Sequence, residues 1–411
     1  MNIALVTQFF SQGMGYTENM LPKALTELGH EVHVFSSTLQ VYGNQKDYKR
    51  NYEAFLGPAE VEAGQCAIDG FRLHRMPWFS FGGYIGLRGL SSALADLRPE
   101  IVQFNAAASI DTLKILLSPW PLPWSAFTEC HQHASISWPM KAKSNFNGLA
   151  RQAVYRLTRT YPSIAAHRRV KCCFAISPDC VEVANRLYGV PKEKLVLLPL
   201  GTDTSMFRPC VNTETSEARN RHRLELGFDA NDIVCIYTGR FSAFKNPALL
   251  ASAVEDLRRK GRPFRAIFVG SGEQENVLRH SPGCIVRGFV KHADLASLYR
   301  VADIAVWPCE ESMSMLDAAA SGLPLVANDK MGDLKRIDGN GRLFRAGSTS
   351  SLAEALASLQ ETAVRRELSA VSRAKAVRDY SWRKHAEKRC LHYAKARFGF
   401  PGQDTLKRAP L

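Results

Sequence analysis

Short apolar runs alternate with helix-patterned segments along the whole 411-residue chain, and this alternation limits the possible folds more than any other feature. In the first half, residues 2–8, Val32–Ser36, Phe71–Met76, Ile101–Phe104, Trp124–Glu129, Lys171–Ser177 and Leu195–Gly201 read as strands. In the second half the runs are Ile233–Tyr237, Ala266–Val269, Ile304–Trp307 and Leu325–Ala327, with Leu343-Phe344 completing the set. Helices are expected between them, at Thr17–Leu28, Asp179–Tyr188, Asp294–Arg300 and Met313–Ala320, then from Ser351 and over Trp382–Lys395. Strands joined by helical crossovers form parallel sheets with helices on both faces, so the chain predicts two such α/β domains in succession. The polar stretch 210–224 is expected to link them, and residues 38–70 and Trp78–Gly89 are expected to be irregular.

Trp307–Asp329 (WPCEESMSMLDAAASGLPLVAND) is the stretch with the most chemistry. It predicts a strand, an acidic loop, a helix closed by Gly322-Leu323-Pro324, and another strand. Unpaired N–H groups around Ser312, Met313 and Ser314 suit a phosphate. Glu310 and Asp317 are carboxylates that could grip vicinal hydroxyls of a ribose or sugar. Their seven-residue spacing can return to one helical face, so Glu310 is preferred to Glu311 as the first acid. Earlier, Thr238-Gly239-Arg240 follows a strand, and Lys245 comes five residues after Arg240. A bidentate guanidinium and an ammonium point charge suit a diphosphate.

Two features of the first half add to this. Gly13 and Gly15 lie in the turn after the first strand, a partial dinucleotide fingerprint in which Glu18 stands where a third Gly would be. His131 and His133 sit at the carboxyl end of a strand, where open α/β sheets bind ligands.

The formal net charge of +14 favours anionic partners. Between Cys130 and Pro178 there is no Asp or Glu, while Lys141, Lys143, Arg151, Arg156, Arg159, Arg168, Arg169 and Lys171 crowd the same segment. Phe146, Leu149, Ala150, Ala153, Val154 and Leu157 recur there at helical spacing, with Arg151, Arg156 and Arg159 on the other side. Either the apolar side packs on the domain and the basic side is solvated, or the basic segment touches an anionic membrane surface. The chain carries no aromatic–basic reader motif, so no nucleic-acid partner is expected. Its N-terminus does not resemble a signal peptide, and a cytoplasmic protein, peripheral at most on the membrane, is expected. The ten cysteines show no ligand-like spacing with histidine, so no metal site and no cofactor are expected.

Asp317-Ala318-Ala319-Ala320-Ser321-Gly322-Leu323-Pro324 resembles the second half of the acidic signature of family 4 (group 1) retaining glycosyltransferases, which have the GT-B fold. The second acid is Asp where that family has Glu, and Glu310 stands one residue nearer to it than usual. Thr238–Asn246 resembles the family's diphosphate-binding loop, "LPLGTDTSMFRP" its hinge, and "LRPEIVQFN" a first-domain strand. Gly270-Ser271-Gly272 is similar to its turn near the nucleotide, and Arg287-Gly288-Phe289 to its base-holding segment.

The resemblance implies an acceptor-binding domain over residues 1–205 and a nucleotide-sugar domain over 206–380. It also implies a C-terminal helix and tail, 381–411, that crosses back to the first domain, with a cleft between the two domains. It further implies transfer of a sugar, with retention and without metal, from a nucleotide-sugar donor to a glycan, lipid-linked or small-molecule acceptor in envelope or exopolysaccharide synthesis. The implied catalytic set is Glu310, His131, His133, Arg240 and Lys245. The alternatives are a catalytically silent GT-B binding protein, suggested by the altered acidic signature, and a GT-B sugar-nucleotide epimerase.

Overall fold

The computed structural model describes residues 1–81, 84–134, 146–210, 213–309 and 311–398. The chain divides into two compact units. The first contains Met1–Gln12, Tyr16–Leu200 and the residues from His385 onward; the second contains Gly13–Gly15 and Gly201–Lys384.

In the first unit the strands are β1 (Asn2–Val6), β2 (Glu31–Ser37), β3 (Gly64–Ile68), β4 (Phe71–Met76), β5 (Trp78–Phe81), β6 (Tyr84–Leu87), β7 (Ile101–Phe104), β8 (Ser125–Cys130), β9 (Val170–Ala175) and β10 (Leu195–Leu197). Eight of them form one sheet in the order β10-β9-β8-β7-β1-β2-β4-β3. Every pairing in it is parallel except edge strand β3 against β4. The central strands β1, β7 and β8 are almost wholly buried, which is why they read as unbroken apolar runs rather than alternating ones. The order reverses between β1 and β7, so His131, just after β8, lies beside the switch point of the sheet.

The second unit has β11 (Ile233–Thr238), β12 (Phe264–Val269), β13 (Cys284–Arg287), β14 (Ile304–Trp307), β15 (Leu325–Asn328) and β16 (Gly341–Phe344). They form an all-parallel sheet in the order β13-β12-β11-β14-β15-β16. This is a doubly wound arrangement whose switch point falls between β11 and β14. Its core includes Ile233–Tyr237 of β11, all of β14, the buried sides of the helices Ala248–Arg259 and Ser314–Ala320, and Phe207.

Four local expectations are corrected. Trp78–Phe81 and Tyr84–Leu87 are not irregular but pair as the antiparallel strands β5 and β6. The stretch 38–70 contains the short helices Tyr48–Asn51 and Glu53–Leu56 as well as β3. The presumed linker is largely a helix, Thr213–Glu225. It has no apolar face and is held instead by ion pairs: Arg219 and Arg223 reach the two oxygens of Asp303 at 2.8 and 3.0 Å, and one of those oxygens also accepts the Val234 N–H.

The fourth correction is the basic helix. Residues Phe146–Tyr155 are α-helical, Arg156–Thr160 form a π-helical turn, and Tyr161–His167 are again α-helical. The π turn shifts the phase of the helix. Arg159, expected on the solvated face, is buried; its guanidinium donates to the Ala108 carbonyl at 3.1 Å and lies 3.5 Å over the Tyr84 ring. Val154, Leu157 and Tyr161 are instead 60, 67 and 56% exposed. Lys141 and Lys143 lie outside the described residues. No helix among the described residues is long and apolar enough to cross a membrane.

The C-terminal helix Trp382–Phe398 contributes its residues from His385 onward to the first unit. A second long helix, Thr362–Asp379, has no counterpart in the sequence reading. Arg373 on it donates to the carbonyls of Phe207, Ala320 and Thr204.

Candidate active site

The site in the second unit is built from loops at the carboxyl ends of β11, β12, β13 and β14. Backbone bonds join the first three. Gly239 N–H donates to Val269 O at 3.0 Å, Gly270 N–H to Arg287 O at 3.0 Å, and Phe241 N–H to Ser271 O at 2.9 Å. A Cβ on Gly270 would collide with the Gly239 carbonyl, and one on Gly272 with the Phe241 backbone. Both residues have φ near +150°, so only glycine allows these loops to approach so closely. Arg287, Gly288 and Phe289 follow at the exposed end of β13.

Arg240 projects from an exposed position after β11. Lys245 is half-buried, and its ammonium donates to the Glu311 carbonyl in the loop after β14 at 3.0 Å. Two loops that flank the switch point are therefore tied by a cation, with a second cation five residues before it. This arrangement suits a diphosphate.

The acidic loop itself is arranged differently from the simple expectation. Glu310 lies outside the described residues. Glu311 turns away to accept the Asp333 N–H at 2.5 Å and to pair with Arg336 at 3.5 Å. The helix after it is short, Ser314–Ala320. Ser312 Oγ shares a hydrogen bond with Ser314 Oγ at 2.7 Å and accepts the Ser314 N–H, while Met313 is the capping residue.

Asp317 is buried. Its Oδ1 accepts the Thr202 hydroxyl at 2.6 Å, and its Oδ2 lies 3.3 Å from His292 Nε2. Both oxygens are engaged by protein, and a sugar hydroxyl would have to use a remaining lone pair. Gly15, grouped with this unit, fits because a Cβ there would meet the His292 ring; Gly13 has φ +77° and faces open space. Thr202 and His292 were missed in sequence because they lie 115 and 25 residues from Asp317, with no motif joining them.

In the first unit, His131 and His133 have separate partners. His131 Nε2 lies 2.6 Å from Oε2 of the fully buried Glu129. The other Glu129 oxygen accepts from Arg389 at 2.5 Å and from Gln103 at 2.9 Å. Burial alone would raise the Glu129 pKa, but the charges of Arg389 and His131 outweigh it and hold the carboxyl down at about 2. Glu18 has its pKa pushed up by burial to about 7, with Glu129 adding to the rise and His131 opposing it. His133 turns to the Cys180 thiol and to Asp179, 3.0 Å away; those partners outweigh its burial and raise its pKa to about 9.

Two doubly wound sheets, the second with a pair of cations at its switch point, define two Rossmann-like domains of the GT-B type. Comparison with known families supports this. Residues 12–201 match the glycosyl transferase 4-like domain, and residues 232–362 match glycosyl transferases group 1. The chain belongs to the group 1 glycosyltransferases, with the GT-B fold.

Spore coat protein SA of Bacillus subtilis is 28% identical over 48% of this chain and 58% of its own length. D-inositol 3-phosphate glycosyltransferase of Xylanimonas cellulosilytica is 29% identical over 51% of this chain and 54% of its own. The chain thus spans about half the length of the curated relatives it matches. Among solved structures, Anabaena HepE in complex with UDP is similar over 96% of this chain and 100% of that one, with a TM-score of 0.65 at 15% identity.

Proposed function

We propose that this chain is a retaining glycosyltransferase that moves a sugar from a nucleoside-diphosphate sugar to an acceptor hydroxyl. The observation that carries the reading is the tie from Lys245 to the Glu311 carbonyl, with Arg240 on the same loop. It sets two cations at the switch point of a nucleotide-binding sheet.

In this reading Arg240 and Lys245 hold the diphosphate and stabilise the charge that grows on it as the sugar leaves. Fixed cations fill the role a divalent metal would have on those phosphates, so donor activation needs no metal. The stitched loops at Gly239, Gly270, Gly272 and Arg287–Phe289 receive the nucleoside, with Ser312–Ser314 and Asp317 beside the phosphates and ribose. On the first unit His131, oriented by Glu129, positions the acceptor. The acceptor oxygen bonds to the anomeric carbon as the bond from that carbon to the phosphate oxygen breaks. The acceptor enters on the face that the phosphate leaves, and its proton passes to the departing phosphate there, so configuration is retained without a protein nucleophile.

The exposed stripe of Val154, Leu157 and Tyr161, flanked by Arg151, Arg156 and Arg168, supports a lipid-linked acceptor met at an anionic membrane surface. A role in cell-envelope or exopolysaccharide synthesis follows from such an acceptor.

Replacing Arg240 with Ala tests the mechanism. Loss of one preorganised donor lowers turnover roughly 10²–10³-fold, and near-normal turnover in a folded variant would overturn the clamp. A silent binding protein is the second reading, favoured by the engagement of both Asp317 oxygens. It predicts nucleotide binding with no sugar transfer or donor hydrolysis.

A further inference from the structure

His133, Asp179 and Cys180 come together on the first unit with their ligating atoms all within 4.8 Å of one another. His133 lies in the segment after β8, and Asp179 and Cys180 in the first turn of the helix Pro178–Arg186. The Asp179–His133 separation is 46 residues, so no sequence spacing announces the group. We propose that these three side chains form a metal site for a zinc-class divalent ion, separate from the donor chemistry of the second unit.

The donor set fits. One imidazole nitrogen, one carboxylate oxygen and one sulfur are the mixed ligands that a borderline-soft tetrahedral ion accepts, and the sulfur disfavours Mg²⁺ and Ca²⁺. Ligand atoms about 2.0–2.3 Å from a tetrahedral centre stand roughly 3.3–3.8 Å apart. His133 Nδ1 and Asp179 Oδ2 are now 3.0 Å apart, and no pair exceeds 4.8 Å, so small side-chain rotations reach that geometry.

Supporting contacts are already in place. Asp179 accepts the Ala134 N–H at 3.1 Å and the Ser177 hydroxyl. Ser177 Oγ also accepts the Cys180 N–H at 3.3 Å, which fixes the first turn of the helix. Such outer contacts orient ligands and tune affinity. His133 and Asp179 are part-exposed while Cys180 is buried, so an ion could enter from the imidazole and carboxylate side and keep a fourth position for water. Binding would fasten the segment that carries His131, two residues before His133, to the helix.

Cobalt(II) gives the readout, because a thiolate bound to it produces a charge-transfer band and a tetrahedral site produces intense visible bands. The full chain in a Cys66→Ser background, which removes the exposed thiol, is titrated with Co²⁺ alone, and the bound ion is then displaced with Zn²⁺. One equivalent per chain with both band types is expected. His133→Gln at the part-exposed position and Cys180→Ser should each weaken binding at least tenfold, and Cys180→Ser should also remove the charge-transfer band. Circular dichroism checks that each variant is folded. If Cys180→Ser does not fold, His133→Gln decides alone. Absence of the thiolate band in the starting protein, or equal binding in folded His133→Gln, overturns the site and leaves a hydrogen-bonded helix cap.

Discussion

Removal of Arg389 should be costly to the first unit. Its side chain is 1% exposed and bonds Glu129, which is fully buried, at 2.5 Å from Nη2 and 3.2 Å from Nε. Arg389→Met removes the cation but leaves an ionised carboxylate in the core, with Gln103 and His131 as its polar partners among the described residues. Breaking one side of a buried pair costs about 3–5 kcal/mol, because the remaining charge has lost its compensation. For a domain of this size each kcal/mol moves Tm by roughly 2–4 °C, so the midpoint of the first unit should fall by roughly 6–20 °C. Differential scanning calorimetry resolves the two units if they melt separately.

The double variant Arg389→Met with Glu129→Gln removes both charges and should recover most of that loss. The pH profile gives a second check. Glu129 has a folded pKa near 2, below its ordinary value, so its contribution is present above about pH 4.5 and is lost as pH falls towards 2. That acid-side loss should be smaller in the double variant. A Tm for Arg389→Met within 2 °C of the parent, or a double variant less stable than the single one, would refute the reasoning.

Other consequences follow from the same contacts. Glu18 has a raised pKa near 7, so its contribution to stability is full below about pH 4.5 and declines as pH rises through 7; Glu18→Gln should therefore be more stable than the parent at pH 8 and no more stable at pH 4 by thermal melts. Gly270→Ala places a Cβ against the Gly239 carbonyl in a backbone conformation that side chains rarely adopt; a loss of about 1–3 kcal/mol and much weaker nucleotide binding are expected, measured by denaturant titration and calorimetry. Leu157→Asp with Tyr161→Asp should abolish sedimentation with vesicles rich in anionic lipid while leaving Tm within 2 °C, since both residues are exposed; unchanged co-sedimentation would remove the membrane from the account.

The sheets were legible because buried parallel strands are apolar throughout, as β11 and β14 show. The Gly239–Lys245 loop and the Trp307–Asp329 stretch were legible because turn glycines and clustered charges keep their meaning at short range. What was hidden depended on partners distant in sequence. The helix Thr213–Glu225 carries no apolar stripe, since its anchor is Asp303, 80 residues from Arg223. The basic helix showed a clear period, but Arg159 faces inward while Leu149, Val154 and Leu157 face outward, and a helical period alone does not say which side packs on the domain. Asp317 looked free to bind a sugar because nothing near it in sequence reveals Thr202 or His292. The same holds for Glu129, whose buried cation comes from the C-terminal helix 260 residues later.

The central claim is that the second unit binds a nucleoside diphosphate through Arg240 and Lys245. Isothermal titration calorimetry with UDP, GDP and ADP, on the parent chain and on Arg240→Ala and Lys245→Ala, tests it most directly. A hydrogen bond to a charged group contributes about 1.5–3 kcal/mol, so each substitution should weaken binding of the preferred nucleotide roughly 10–150-fold. No binding by any of the three nucleotides, or equal affinity in the folded variants, would contradict the account.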